Sequence, residues 1–231
     1  FSAQTELATG LSGAAAINIA DYDGDGNDDI VVLSLDAHSL TLLSNNSDST
    51  FTKTLIASDS AINGNSLATA DLDGDGDLDI VVPGRDGADL LWYENNGDGT
   101  FQSTQYIDQN TITNAYNVDV ADLDGDGDLD VIASTDISGT GYISWYENDG
   151  NAGGWNETTI ENNISRPMEI AAGDIDGDGD IDVAYAIYGD DSIRWRENDG
   201  SGNFSANANS ILFTDSAVMN GPWSIRLLDI N

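Results

Sequence analysis

Short apolar runs rich in β-branched and aromatic residues alternate along the whole chain with clusters of Asp, Asn and Gly, and helical spacing never persists for a dozen residues. Between residues 66 and 107 the runs SLATADL, LDIVVPG, DLLWYEN and TFQSTQYI read as four β-strands separated by turn residues. The pattern predicts an all-β protein.

The same unit recurs. An acidic stretch passing straight into an apolar run appears as DYDGDGNDDIVV from Asp21, DLDGDGDLDIVV from Asp71, DLDGDGDLDVIA from Asp122 and DIDGDGDIDVAY from Asp174, at spacings of 50, 51 and 52 residues. A fifth copy begins 55 residues later as Asp229-Ile230-Asn231. Between the acidic stretches, SLTLLSNNSDSTF, DLLWYENNGDGTF, YISWYENDGNAGGW and SIRWRENDGSGNF each set a strand before an Asn/Gly/Asp turn and a closing aromatic. Four antiparallel strands per repeat of this length predict a β-propeller blade, with a β-sandwich of repeated hairpins as the alternative. The expected architecture is one propeller region over residues 1–231. It holds about four complete blades, loops at 21–29, 71–79, 122–130 and 174–182, a truncated fifth loop from 229, and partial blades at both ends. That count predicts a portion of a larger propeller.

The acidic stretch carries the chemistry. Oxygen side chains stand at loop positions 1, 3, 5 and 9, and Gly stands at 4 and 6, where a sharp turn demands positive φ. Calcium takes roughly six to eight oxygens at about 2.3–2.6 Å, and a tight loop wraps alternate residues around one ion. In the second unit Asp71, Asp73, Asp75 and Asp79 offer carboxylates and Asp77 its backbone carbonyl. Apolar Leu72 and Leu78 pin the loop to the core. A solvated Asp/Gly turn explains a single copy better than four spaced ones. A helix-flanked calcium loop is disfavoured: its twelfth position carries a bidentate Glu, whereas Val32, Val82, Ala133 and Tyr185 stand there here.

Charge sharpens this reading. Six Lys and Arg against 42 Asp and Glu give a formal net charge of −36, which excludes a phosphate-neutralising nucleic-acid surface and favours cations as partners. With 39% hydrophobic residues the chain is too apolar for wholesale disorder. There is no Cys, hence neither a disulfide framework nor a thiolate metal site. No apolar run approaches the ~18 residues of a membrane-inserted helix.

The D-x-D-G-D-G-x-x-D loop followed by a β-run, with WYEN and NGDGTF later in the unit, resembles the FG-GAP and VCBS-type repeats of bacterial secreted proteins, which are similar to the blades of the integrin α-subunit propeller. The resemblance implies a calcium-binding propeller, usually seven-bladed, of extracellular adhesins, lectins and accessory domains of carbohydrate-active enzymes. It therefore implies an extracellular or cell-surface location in a bacterium. It extends the ligand roles to Asp21, Asp23, Asp25, Asn27 and Asp29; to Asp122, Asp124, Asp126, Asp128 and Asp130; and to Asp174, Asp176, Asp178, Asp180 and Asp182. Four Ca2+ ions are implied, one per complete loop. The first loop departs at Asn27 and Asp28, which loosens its anchoring and keeps its four side-chain ligands.

Strand alternation puts the acidic loops and the NNGDGTF turns on one face and the irregular loops on the other. Among the latter, Arg85, Arg166, Tyr188 and Trp223 are candidates for sugar stacking and hydrogen bonding, with an ordinary rim role as the alternative. Trp92, Trp145 and Trp195 fall at one repeated position and are expected to pack between blades. His38 is the only histidine, and no catalytic residue is assigned. The expected function is a non-catalytic adhesion or binding scaffold for a glycan or an extracellular protein. The alternatives are a domain of a secreted carbohydrate-active enzyme, a polysaccharide lyase or hydrolase, and a structural unit of a surface assembly or filament that self-associates through incomplete blade edges.

Overall fold

The computed structural model describes residues 8–85, 89–109, 111–137, 139–150, 152–205, 211–214 and 221–227. Residues 1–7, where the N-terminal partial blade is expected to begin, and the truncated loop from Asp229 lie outside the described residues.

Each repeat forms one antiparallel sheet in sequence order. The first blade contains β1 (Ala14–Ala20), β2 (Asp29–Ser34), β3 (Ser39–Asn45) and β4 (Phe51–Ser58). The second contains β5 (Ala68–Ala70), β6 (Asp79–Gly84), β7 (Asp89–Tyr93) and β8 (Gln105–Gln109), and the third β9 (Ala115–Ala121), β10 (Asp130–Thr135), β11 (Gly141–Asn148) and β12 (Trp155–Ile164). In the fourth, β13 (Pro167–Gly173), β14 (Asp182–Ile187) and β15 (Ser192–Asn198) are followed by an outer position shared between β16 (Phe204–Ser205) and β17 (Ile211–Thr214), both paired to β15. The fold is all-β and built of four-stranded blades.

One strand differs from expectation. In the second repeat the regular fourth strand starts at Gln105, and the segment before it is held by an isolated bridge between Asn95 and Phe101 and by Gln102 N–H donating to Glu94 O at 2.8 Å.

The apolar runs after the acidic loops become the second strands. Every described side chain of β6, β10 and β14 is buried. A middle strand covered on both faces by neighbouring sheets carries an unbroken apolar run rather than strict alternation. The core accordingly lies between blades. Val31, Leu33, Leu40 and Leu42 of the first blade pack with Ile80, Val82, Leu91 and Tyr93 of the second. Val81, Leu90 and Trp92 then meet Val118, Val131 and Tyr146 of the third. Ile132, Ile143 and Trp145 in turn meet Val183, Tyr185 and Ile187 of the fourth. Trp92 and Trp145 thus pack between blades, the latter edge-on to Phe204 at 6.5 Å.

A register shift falls at the same place in every outer ladder: Leu40/Thr41, Leu90/Leu91, Ile143/Ser144 and Ile193/Arg194. A bulge there increases local twist, which lets flat-packed sheets fan around an axis. The first strand of each blade is an inner edge whose free N–H groups need partners. In the third and fourth blades side chains of the preceding blade supply them: Val118 N–H donates to Ser66 Oγ (2.9 Å), Ile170 N–H to Asn117 Oδ1 (3.1 Å) and Ala172 N–H to Asp119 Oδ2 (3.0 Å). Residues 221–227 continue this arrangement beside β13, with Ile225 N–H on Glu169 Oε2 at 3.1 Å and Leu227 against Gly173. They occupy the place of the next inner strand.

Candidate metal centre

The four acidic loops connect the first and second strands of their blades and share one internal geometry. The first Asp uses both oxygens to accept from the two glycine N–H groups. For Asp21 these are Gly24 and Gly26 at 2.9 Å each, and for Asp71 they are Gly74 at 2.9 Å and Gly76 at 3.0 Å. Asp122 and Asp174 repeat the pattern on Gly125 and Gly127, and on Gly177 and Gly179. All eight glycines have positive φ, from 71° at Gly24 to 102° at Gly179, so glycine is required by the turn itself. Position 3 accepts from the N–H of position 5, and position 5 from that of position 7; in the second loop these are Asp73 from Asp75 at 3.2 Å and Asp75 from Asp77 at 2.9 Å.

The ninth residue is buried at the end of the loop, where it opens the second strand. Asp29, Asp79 and Asp182 are 0% exposed and Asp130 is 1% exposed. In each, Oδ2 accepts from the N–H of loop position 2: Tyr22 (3.0 Å), Leu72 (3.2 Å), Leu123 (3.0 Å) and Ile175 (3.0 Å).

These turns gather carboxylates. Asp21, Asp23 and Asp29, and likewise Asp122, Asp124 and Asp130, each bring one oxygen within 4.8 Å of the others; Asp71, Asp73 and Asp75, and Asp174, Asp176 and Asp178, do the same. Together these sets span positions 1, 3, 5 and 9. The side chain at position 7 turns away: the carboxylates of Asp77, Asp128 and Asp180 lie where a Cβ on Gly97, Gly150 or Gly200 would sit. Only its backbone carbonyl is left for a central ion; in the first loop the Asn27 side-chain amide instead donates to Asp25 Oδ1 at 2.8 Å.

Left without a cation, the clusters resist ionisation. Burial pushes the Asp79 and Asp130 carboxyls up to about 7, neighbouring carboxylates adding to the effect. Asp23, Asp73 and Asp124 are raised by desolvation and by adjacent acids. An all-oxygen, anionic donor set with neither imidazole nor thiolate fits a hard divalent cation and is compatible with Ca2+.

Sequence reasoning overlooked the Asn that ends each WYEN-type run. Asn45, Asn95, Asn148 and Asn198 each donate their backbone N–H to Oδ1 of the ninth Asp, at 2.8, 2.8, 2.9 and 2.9 Å. Their side-chain amides donate to the carbonyl of loop position 8, Asp28, Leu78, Leu129 and Ile181 respectively. In the last three blades that amide also reaches the preceding blade: Asn95 to Tyr22 O (3.0 Å), Asn148 to Leu72 O (2.7 Å) and Asn198 to Leu123 O (2.6 Å). The recurrence of Asn at a near-constant distance after the ninth Asp was the available signal.

On the opposite face the four candidates form one chain of contacts. Asp136, 5% exposed, sits between Arg85 Nη2 and Arg166 Nε, both at 2.8 Å. The Arg85 guanidinium lies over Tyr116 at 5.6 Å, that of Arg166 over Tyr188 at 4.7 Å, and Tyr188 meets Trp223 edge-on at 5.2 Å. Asp136 was not anticipated, since one more Asp in so acidic a chain carries no signal. Of the loops expected on this face, residues 86–88, 138 and 220 lie outside the described residues. His38 places Nδ1 3.2 Å from Ile62 O and joins no acid–base group among the described residues.

The chain is similar in fold to a lectin of Agrocybe aegerita described as specifically recognising non-reducing terminal N-acetylglucosamine, with 24% identity and a TM-score of 0.59 over 89% of this chain and 54% of that one. It is also similar to virginiamycin B lyase from Staphylococcus aureus, with 16% identity and a TM-score of 0.56 over 87% and 57%. The chain spans little more than half the length of these proteins, and at such identities the likeness concerns the fold alone. Comparison with curated protein sequences returns no match. The model of the FG-GAP-like repeat matches residues 21–82, 84–133, 132–185 and 174–231, segments that each run from one blade into the next, and the chain belongs to that family.

Proposed function

We propose that the chain is a calcium-dependent, non-catalytic propeller scaffold that works outside the cell and presents its irregular-loop face to a glycan or protein ligand. The observation that carries this reading is the fourfold repetition of an oxygen-only carboxylate cluster built on one loop geometry. Bound in these loops, Ca2+ supplies charge neutralisation and cross-links carboxylates that otherwise repel one another. Positions 1, 3, 5 and 9 of each loop hold it through side chains and position 7 through its carbonyl. Extracellular modules of this type bind calcium at about 10⁻⁴ to 10⁻³ M, levels met outside cells and not in a cytosol.

Ligand recognition finds support on the opposite side. Trp223 is 59% exposed at the edge of a cavity of about 670 Å³ lined by inner strands, including Tyr116, Asn117, Asp119 and Glu169. An exposed indole beside amide and carboxylate groups is the chemistry that stacks on and hydrogen-bonds a sugar ring. The lectin relative lends the same reading its glycan class.

Calorimetric titration of the full chain with CaCl2, followed by a glycan panel that includes N-acetylglucosamine-terminated sugars, tests both parts. Calcium uptake at the loops, and glycan binding lost in W223A, are expected. Absence of calcium uptake overturns the scaffold reading, and uptake without any glycan signal leaves a protein ligand.

A further inference from the structure

The four acidic loops are not independent. A single run of hydrogen bonds passes through every one of them. Asp29 Oδ2 accepts from Tyr22 N–H, and Tyr22 O accepts from the Asn95 side chain. Asn95 N–H donates to Asp79, whose other oxygen accepts from Leu72 N–H. Leu72 O accepts from the Asn148 side chain, and Asn148 N–H donates to Asp130. Asp130 accepts from Leu123 N–H, Leu123 O accepts from Asn198, and Asn198 donates to Asp182, which accepts from Ile175 N–H. Every link lies between 2.6 and 3.2 Å.

The run uses the residues that shape the site. The ninth Asp of each loop is both a proposed cation ligand and the acceptor of two links. Loop position 2, whose peptide joins the first and third Asp, donates to its own loop and accepts from the next blade. Its side chain is buried as well: Tyr22, Leu72 and Leu123 are at most 2% exposed. The acidic loop of one blade also lies against the Asn/Gly turn of the next, because a Cβ at Gly24 would stand 3.2 Å from Gly97 O and one at Gly125 would stand 3.3 Å from Gly200 O. A loop that orders around an ion therefore orders the peptide that its neighbour is bonded to.

We infer that Asn95, Asn148 and Asn198 are positioning residues that couple the acidic loops of adjacent blades, so that filling one loop raises the cation affinity of the next. The inference rests on the calcium reading above. Coupling between sites is reciprocal and amounts to about 5-fold or more in affinity where it is substantial. It needs an element that both sites bias, and here the shared Asn amide and the position-2 peptide provide one.

The test is a calcium titration of the full chain followed by NMR, with the amide signals of Gly26, Gly76, Gly127 and Gly179 reporting the four loops separately. In D126A the third loop is weakened at an exposed carboxylate, so folding is not at risk. The expected result is that the midpoint at Gly76 rises about 5-fold or more while the midpoint at Gly26, one link further away, rises less. In N148A the Gly76 midpoint is expected no longer to depend on whether Asp126 is present. If N148A does not fold, the graded response of Gly76 and Gly26 in D126A still decides. An unchanged Gly76 midpoint in D126A, with normal filling of the wild-type loops, overturns the coupling and leaves the calcium reading intact. No calcium response at any glycine of the wild type overturns both.

Discussion

The side-chain amide of Asn148 donates to the carbonyl oxygen of Leu72 at 2.7 Å, joining a strand end in the third blade to the acidic loop of the second, 76 residues away in sequence. The same amide reaches Leu129 O at 3.1 Å, so one buried side chain ties two loops together. Replacing it by Ala strands one buried and one part-buried carbonyl at once. Such groups cost about 1–3 kcal/mol each when left unpaired. At about 2–6 kcal/mol in all and about 2–4 °C per kcal/mol for a domain of this size, N148A should unfold with a Tm lower by roughly 4–24 °C. N45A, whose amide serves only the exposed Asp28 carbonyl, should shift it far less. Thermal denaturation of the two variants side by side checks the difference.

Calcium removal should be destabilising in proportion to the number of filled loops. A site occupied only in the folded state adds RT ln(1 + [Ca]/Kd). With Kd near 10⁻⁴ to 10⁻³ M and about 10 mM calcium, that is about 1.4–2.7 kcal/mol per site. Scanning calorimetry in chelator and in calcium reads the shift, and identical melting curves would contradict calcium-loaded loops.

The pH dependence should invert with the cation. In the cation-free protein the Asp79 and Asp130 carboxyls titrate at about 7, against about 4 in an unfolded chain. Between those values the folded state holds more protons than the unfolded one. The stabilisation from this source is complete below about pH 4 and is lost as pH rises through about 7. In chelator, Tm should therefore fall from pH 5 to pH 8. With saturating calcium, which favours the carboxylate, the fall should vanish or reverse over the same range.

Asp136 organises the opposite face through Arg85 and Arg166. D136A should destabilise by about 1–2 kcal/mol, below the 3–5 kcal/mol of a fully buried pair, because both guanidinium groups are a third or more exposed and rehydrate. R166K should fall between wild type and R166A, since a lysine keeps charge and loses the planar stacking on Tyr188. Urea unfolding of the three proteins gives the order.

Two glycines of equal conformational need should differ in tolerance. A Cβ on Gly76 meets nothing within 4 Å, so G76A should cost only the left-handed backbone penalty, about 1–2 kcal/mol. A Cβ on Gly97 strikes the Asp77 carboxylate in addition, so G97A should cost distinctly more and also disturb the neighbouring loop. Denaturant midpoints and calcium affinity of both variants measure this. In the first blade Ser47 holds φ 62° at the corresponding turn, so the left-handed conformation itself is tolerated by a residue with a Cβ.

The blades and the loops were legible because they depend on local order. A turn that needs Gly at two positions, carboxylates at alternating ones and an apolar strand behind them writes all three into consecutive residues, and repetition removes the ambiguity. The extent of the fourth strand was less legible. TFQSTQYI has strand composition throughout, yet the regular ladder starts at Gln105, with Phe101 held by an isolated bridge to Asn95 and Gln102 by a bond to Glu94 O.

Read alone, the amino-acid order settles the repeat, the blade and the positions of the carboxylates, since these follow from spacing within some dozen residues. What tertiary structure alone decided is how the units meet. The Asn staples, the inner-edge bonds of Ser66, Asn117 and Asp119, and the Arg85–Asp136–Arg166 cluster join residues roughly 30 to 80 positions apart. Hydrogen-bonding geometry at such separations is set by how one sheet stacks on the next. In a chain with 42 acids and many asparagines, no single residue's identity announces which of them will be caught between two blades.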